Sequence, residues 1–151
     1  MIITPHALAG AAVATTTNNV PLAFFLGFIS HFILDAIPHV DQGTFFKSEN
    51  EPWPAWIYYS AIGEAILAVA VFYFLFHHRS DFSVISVGAI GGVFVDFLDN
   101  TPARCLRKLP GFKQLHWLHE KVHFDLRAEN WYWGLPSQII IIGGTLWYLL
   151  K

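Results

Sequence analysis

Charged residues are scarce in this chain of 151 residues. They make up 13% of the sequence, about half of the ~25% that is usual for soluble domains. None occurs between Met1 and Leu34, whereas hydrophobic residues reach 54% and aromatic residues 17% of the chain. This composition favours an integral membrane protein. The net charge of −2 argues against a general nucleic-acid-binding protein.

Cysteine and several catalytic motifs are absent or nearly so. Cys105 is the only cysteine, which excludes an internal disulfide framework and a zinc site built from cysteines alone. The sequence has no glycine-rich phosphate loop, no nucleophile-elbow pattern and no Cys–His pairing with a recognisable spacing. Metal-activated water is therefore the reaction type most compatible with the polar residues that are present.

Four apolar regions predict an all-α protein, formed by one domain over residues 1–151. The first region is interrupted, and we expect two short helices with a bend at Thr17, Asn18 and Asn19. The expected helices cover about 4–16, 20–37, 53–78, 82–99 and 129–150. The third and fifth reach the ~20 residues that span a bilayer. We therefore predict an integral membrane bundle of four to five helices plus a short amphipathic helix. A soluble helical bundle is the structural alternative.

Positive charge is unevenly distributed between the two sides of this topology. One side carries Lys47, Arg104, Arg107, Lys108, Lys113, Lys121 and Arg127. The other side carries only Arg79 and Lys151. Because basic loops stay in the cytoplasm, we expect a bacterial or archaeal inner-membrane protein with the first of these sides facing the cytoplasm.

Most histidines and intramembrane acids fall on that same basic side. They are His6, His31, Asp35, His39, Asp41, Asp96, Asp99, His116, His119 and His123. Only His77 and His78 belong to the opposite side. Since the histidines were not used to choose the topology, their convergence predicts a polar site at the cytoplasmic face.

The stretch HFILDAIPHVD contains the first candidate ligands. His31 and Asp35 are four residues apart and therefore share a helical face, and His39 follows after Pro38, which ends or kinks the helix. Imidazole and carboxylate groups in this arrangement suit zinc or a similar ion. The alternative is a histidine that only forms hydrogen bonds within a bundle, but a buried unpaired carboxylate is costly.

Two later stretches add further candidates. In GGVFVDFLDN, Asp96 and Asp99 are one turn apart, and two such carboxylates repel unless a cation or a shared proton stabilises them. A solvated helix end is the alternative. In QLHWLHEKVHF, the three histidines fall on one helical stripe, which predicts that at least two of them bind metal or act in catalysis. Here the alternative is an interfacial helix anchored by Trp117 and Lys121.

Glu64 is the one acid within the second apolar region. It lies about eleven residues into its expected helix, which places it ~16 Å along the helix axis at 1.5 Å per residue. A carboxylate at that depth has to be protonated, paired or functional. It is a candidate general base, together with Asp99, and a hydrogen bond between helices is the alternative.

These motifs resemble a known family. TPHALAG, SHFILDAIPHVD and the late histidine-rich stretch are similar to the membrane-bound metal-dependent hydrolases, also described as inner-membrane-associated hydrolases. In that family a histidine opens the first helix, a segment containing Pro and Asp follows the second, and a His…His-Ser segment, with a gap between its histidines, comes later. His6, the segment 38–41 and HWLHEKVH occupy these places, although no serine follows the histidine here.

A second resemblance concerns His31 and Asp35 alone. Their H-x-x-x-D unit is similar to one in the helical zinc phospholipase C and single-strand nuclease superfamily. That resemblance implies that both residues are ligands of clustered metal ions, and that the substrate is a phosphodiester or a phospholipid.

The combined prediction is a membrane-bound metal-dependent hydrolase acting on a phosphoester or phospholipid. The predicted ligands are His6, His31, Asp35, His39, Asp96, His116, His119 and His123, with Glu64 or Asp99 as the base. Zinc is the expected metal, with manganese or iron as alternatives. The expected partners are the bilayer and a lipid or phosphoester substrate, without nucleic acid. The alternatives are a transporter or sensor for metal ions or protons, and a non-catalytic membrane scaffold.

Overall fold

All the secondary structure that the computed structural model describes is helical. It describes residues 1–45, 54–100, 109–124 and 126–151, without the side chains of Gln42, Gly43, Asp99 and Asn100. The α-helices are α1 (Ile3–Ala14), α2 (Val20–Asp35), α3 (Ala55–Phe76), α4 (Phe82–Asn100), α5 (Phe112–Val122) and α6 (Leu135–Leu149). Short 3₁₀ helices cover Gln42–Phe45 and Ala128–Gly134. The all-α prediction is confirmed.

The bend between α1 and α2 lies where the sequence predicts it. Asn19 precedes α2 and accepts a hydrogen bond from the backbone N–H of Leu22 at 3.0 Å, which caps the helix. Pro21 lies in the first turn, where its missing N–H costs no hydrogen bond. The resulting hairpin makes α1 and α2 antiparallel neighbours.

Glycines allow α1, α2 and α4 to pack with their backbones in close contact. A Cβ atom on Gly10 or on Gly27 would overlap the carbonyl oxygen of Gly88, and a Cβ on Gly92 would overlap that of His6. Small residues at helix crossings are typical of membrane bundles, because close approach maximises van der Waals contact. Here they bring the start of α1 and the ends of α2 and α4 together.

The outer helices α3 and α6 contact this core along α1. Phe76 of α3 and Leu149 of α6 are buried in one apolar cluster with Leu8 and Ala11 of α1. At that end of the bundle Arg79 forms a bidentate ion pair with Asp81, at 2.8 Å for both contacts, and donates a hydrogen bond to the Leu149 carbonyl oxygen. The α3–α4 turn is thereby fixed to the end of α6.

Of the described helices, α3 alone is long and apolar enough to cross a membrane by length and composition. It has 22 residues, yet only 6% of its most apolar 18-residue window is buried inside the protein. The core helix of a soluble protein would be mostly buried. The apolar surface of α3 therefore faces outwards along nearly its whole length.

Substitution of Gly88 tests the close packing. A Cβ there would overlap Gly10 and the Ala14 side chain, so Gly88→Ala should destabilise the folded protein by about 1–3 kcal/mol, as overpacking does. Gly143→Ala is the matched control, because nothing lies within 4 Å of a Cβ at that position. Gly143→Ala should leave the stability of the folded protein unchanged or raise it by up to ~1 kcal/mol. Thermal unfolding in detergent measures both, and equal changes in Tm would contradict the packing described.

Candidate metal centre

Histidines and aspartates from four helices and one loop meet at one end of the bundle. α1 begins there with His6, α2 ends there with His31 and Asp35, and α4 brings Asp96. The loop after α2 contributes His39, and α5 contributes His119 and, just beyond its end, His123. All the predicted ligands except His116 are thus brought together.

Asp35 lies at the centre of this cluster. Its Oδ2 is 2.9 Å from Nε2 of both His31 and His119. Its Oδ1 is 3.1 Å from Nε2 of His6 and 3.7 Å from Nε2 of His39. The Asp35 side chain has no exposed surface. A buried carboxylate is therefore approached by four imidazole nitrogens.

The hydrogen bonds of two rings fix which nitrogen faces Asp35. Nδ1 of His31 is 2.8 Å from the Gly92 carbonyl oxygen, and Nδ1 of His39 is 2.7 Å from that of Ile37. A carbonyl only accepts, so each Nδ1 carries the hydrogen. In the neutral form of each ring the Nε2 lone pair then points into the cluster, as in metal-ligating histidines that a backbone carbonyl orients.

These Nε2 atoms face other ring nitrogens. Nε2 of His31 is 3.3 Å from Nε2 of His119, and Nε2 of His39 is 3.1 Å from Nε2 of His123. Two ring nitrogens this close need a proton or a metal ion between them. Two ligands of one tetrahedral zinc ion, each about 2.0–2.2 Å from it, lie roughly 3.4 Å apart, close to these separations. The donor set therefore fits a divalent metal.

Three overlapping groups could each hold an ion, since one ligand atom from each member lies within 4.8 Å of the others. The groups are His6, His31 and Asp96; His31, Asp35 and His119; and Asp35, His39 and His123. His31 and Asp35 each belong to two of them. Neighbouring positions thus share ligands across the cluster.

His6 and Asp96 carry buried polar atoms without a hydrogen bond among the described residues. These atoms are Nδ1 and Nε2 of His6 and Oδ2 of Asp96. Nε2 of His6 is 3.9 Å from Asp96 Oδ2, and the His6 ring is stacked on that of His31 with centroids 4.1 Å apart. Buried polar groups normally have partners. A cation in this group would supply one.

Asp41 adds a carboxylate that was not among the predicted ligands. Its Oδ1 caps the 3₁₀ turn by accepting a hydrogen bond from the Thr44 N–H at 2.7 Å, which leaves Oδ2 3.1 Å from Nε2 of His123. Burial raises the pKa of Asp41, but the hydrogen bond from His123 outweighs it and holds the pKa well below its ordinary value. The Asp-x-x-Thr capping pattern was the available sequence signal.

The loop that carries His39 is held by the start of α6. Ser137 donates a hydrogen bond to the Pro38 carbonyl oxygen at 2.5 Å, and Gln138 donates one to that of Val40. A Cβ on Gly134 would overlap the backbone between His39 and Val40. These contacts fix a segment that has no regular structure of its own.

Two predicted residues lie outside the metal groups, and the side chain of a third is not described. Oε1 of Glu64 accepts hydrogen bonds from the N–H and the hydroxyl of Thr4, at 3.0 and 3.2 Å, so Glu64 caps the first turn of α1. His116 is half-buried one turn before His119. Asp99 lies in the last turn of α4, and its side chain falls outside the described residues. Their predicted roles stay predictions.

Comparison with known proteins gave no match to any family model, curated protein or solved structure. These comparisons neither support nor exclude the two resemblances suggested by the motifs. The function is therefore argued from the geometry of the site.

Replacement of Asp35 tests the centre. Asp35→Asn keeps the shape of the side chain but removes the negative charge that faces four imidazoles, so zinc affinity should fall by about a hundredfold or more. His77→Ala is the control, because His77 is exposed at the end of α3 and outside all three groups. Zinc titration of the detergent-purified protein measures both. Unchanged zinc affinity in Asp35→Asn would contradict a centre built around this carboxylate.

Proposed function

We propose that this protein is a membrane-bound metal-dependent hydrolase that acts on a phosphoester, in or next to the lipid. The observation that carries the proposal is the orientation of His31 and His39, whose Nδ1 atoms are held by backbone carbonyls while both Nε2 atoms lie within 3.7 Å of Asp35. Such preorganised imidazoles around a buried carboxylate are typical of metal centres.

Zinc is the metal that we favour. The ligands are imidazole nitrogens and carboxylate oxygens without sulfur, a set that zinc, iron and manganese accept. The histidine excess favours zinc among them, because imidazole is one of its usual ligands. A bound divalent ion would activate water at neutral pH and stabilise negative charge on a phosphoryl group.

The exposure of the ligands indicates where water and substrate reach the centre. The side chains of His6, His31, Asp35 and His39 have no exposed surface, whereas those of Asp96 and Asp41 are 14% and 18% exposed. Substrate would enter on this partly open side. Asp99 follows Asp96 by one turn and is the base that we favour, because hydrogen bonds to Thr4 already account for Glu64.

The position of the centre along the bundle favours a lipid substrate. Asp35 is 15 residues from Val20 at the other end of α2, about 22 Å at 1.5 Å per residue. With the Val20 end at one membrane surface, the centre would lie in the last third of a hydrocarbon core ~30 Å thick. It would then lie about 8 Å inside the hydrocarbon boundary, in the half of the bilayer that the basic residues assign to the cytoplasm.

Membrane integration is part of the proposal and rests on the outward apolar surface of α3. Carbonate extraction of membranes that contain the full chain tests it. The protein should remain in the pellet, and its release into the supernatant would contradict the placement. A transporter is less favoured, since its ligands are expected near the midplane.

Phosphodiesterase activity is the expected property of the metal-loaded protein. Purified protein with zinc should hydrolyse bis(p-nitrophenyl) phosphate or the phosphoester of phospholipid in mixed micelles, a chelator should abolish the activity, and added zinc should restore it. Asp35→Asn should lower the rate about a hundredfold or more, and His77→Ala should stay within about twofold of the unsubstituted protein. If the zinc-loaded protein hydrolyses neither substrate, the proposed hydrolase function is contradicted. A metal sensor or a non-catalytic scaffold would then be the remaining alternatives.

A further inference from the structure

The helix α5 has two distinct faces. Its inner face carries His119, which is buried against Asp35. Its outer face exposes Trp117 and Leu118, at 60% and 44% of their surface, together with Lys113 and Lys121. The Lys121 ammonium lies 5.3 Å from the centre of the Trp117 ring. Aromatic and aliphatic side chains flanked by lysines are typical of helices that lie on a membrane surface.

The position of α5 depends on the metal centre. Its main contact with another helix is with α2, and the contacts that join them involve the cluster itself. His119 contacts Asp35, His123 contacts His39, and the Phe124 N–H donates a hydrogen bond of 2.7 Å to the Asp35 carbonyl oxygen. A force that holds α5 in place would therefore also hold two ligands at the centre.

Other aromatic residues are exposed at the same end of the bundle. Trp131, Tyr132 and Trp133 precede α6 and are 43–64% exposed, next to the loop that carries His39. Trp56 and Tyr59 lie in the first turns of α3 and are 57% and 74% exposed. Trp and Tyr concentrate at the boundary between lipid and water. Because these residues lie at the same end of the bundle as α5, we infer that α5 lies at this boundary.

We propose that the outer face of α5 lies in the head-group layer of an anionic bilayer, and that this contact helps to hold His119 and His123 at the metal centre. The inference rests on the metal centre proposed above. Its occupant is the lipid surface, because the face combines an aromatic anchor with two flanking lysines against one acid, Glu120. Each lysine near an anionic leaflet contributes attraction.

Zinc affinity in two kinds of nanodisc tests the proposal. One contains phosphatidylcholine alone, and the other contains phosphatidylcholine with 30 mol% phosphatidylglycerol. Zinc should bind the unsubstituted protein roughly tenfold more tightly in the anionic discs. The variant Lys113→Glu/Lys121→Glu should lose most of this ratio, because its outer face is repelled by the anionic surface. Comparing ratios cancels any direct effect of the new acids on zinc.

Lys151→Glu is the matched control. Lys151 lies 4.6 Å from the ring centre of Trp147, which reproduces the Lys121–Trp117 arrangement at the opposite end of the bundle. Anionic lipid also concentrates zinc near its surface, and all variants share that effect. Lys151→Glu should therefore keep the ratio of the unsubstituted protein. An equal ratio in all three proteins would overturn the role of α5.

Quenching by lipids tests the contact independently of metal. Brominated phosphatidylglycerol should quench the fluorescence of Trp117. The fraction of the total fluorescence that this lipid quenches should therefore be smaller in Trp117→Phe than in the unsubstituted protein. Unquenched Trp117 would overturn the membrane contact. If zinc binds with no dependence on lipid, the inference fails while the metal centre stands. If none of the proteins binds zinc in either kind of nanodisc, the proposal of a metal centre itself fails.

Discussion

The buried carboxylate of Asp35 is the constraint on which the rest of this structure depends. An ionised group without exposed surface is costly unless charge and hydrogen bonds compensate it. Four imidazoles approach Asp35, and each can supply a proton or share a metal ion with it. The α-ammonium group of Met1 also forms an ion pair with Oδ1, at 3.1 Å. A metal ion at this place would add to that charge compensation and would lie between the ring nitrogens that face one another.

The packing of the helices follows from bringing these rings together. Imidazoles on α1 and α2 can stack and reach one carboxylate only if the helix axes are close. Glycine at positions 10, 27, 88 and 92 gives that proximity, because any larger residue would overlap a neighbouring backbone or side chain. The Gly92 carbonyl oxygen then accepts the hydrogen bond that orients His31. One residue thus serves both the packing and the orientation of a ligand.

Periodicity and charge scarcity were sufficient to predict most of the helices and the end of the bundle at which the histidines meet. The predicted helix over 129–150 was too long, because its α-helical part covers only Leu135–Leu149. These patterns could not predict which atoms face inwards. The carbonyl groups of Gly92 and Ile37 carry no sequence signal, because every residue has one, and their role depends on tertiary placement. Asp41 was overlooked as a ligand because the direction of its Oδ2 depends on a local contact. Its Oδ1 caps the 3₁₀ turn Gln42–Phe45, and this turns Oδ2 towards His123. Glu64 was interpreted from depth alone, and its contact with Thr4 requires knowledge of how α3 packs on α1.

The most direct test of a metal held by Asp35 is anomalous X-ray scattering at the zinc edge from crystals of the full chain grown with zinc. The account predicts at least one anomalous peak within coordination distance, about 2.0–2.2 Å, of Nε2 of His31 or His39 and of an Asp35 carboxylate oxygen. Crystals with zinc bound only at the exposed His77 and His78, or with no peak in the cluster, would contradict it. The buried histidines would then be groups that stabilise the bundle by hydrogen bonds alone.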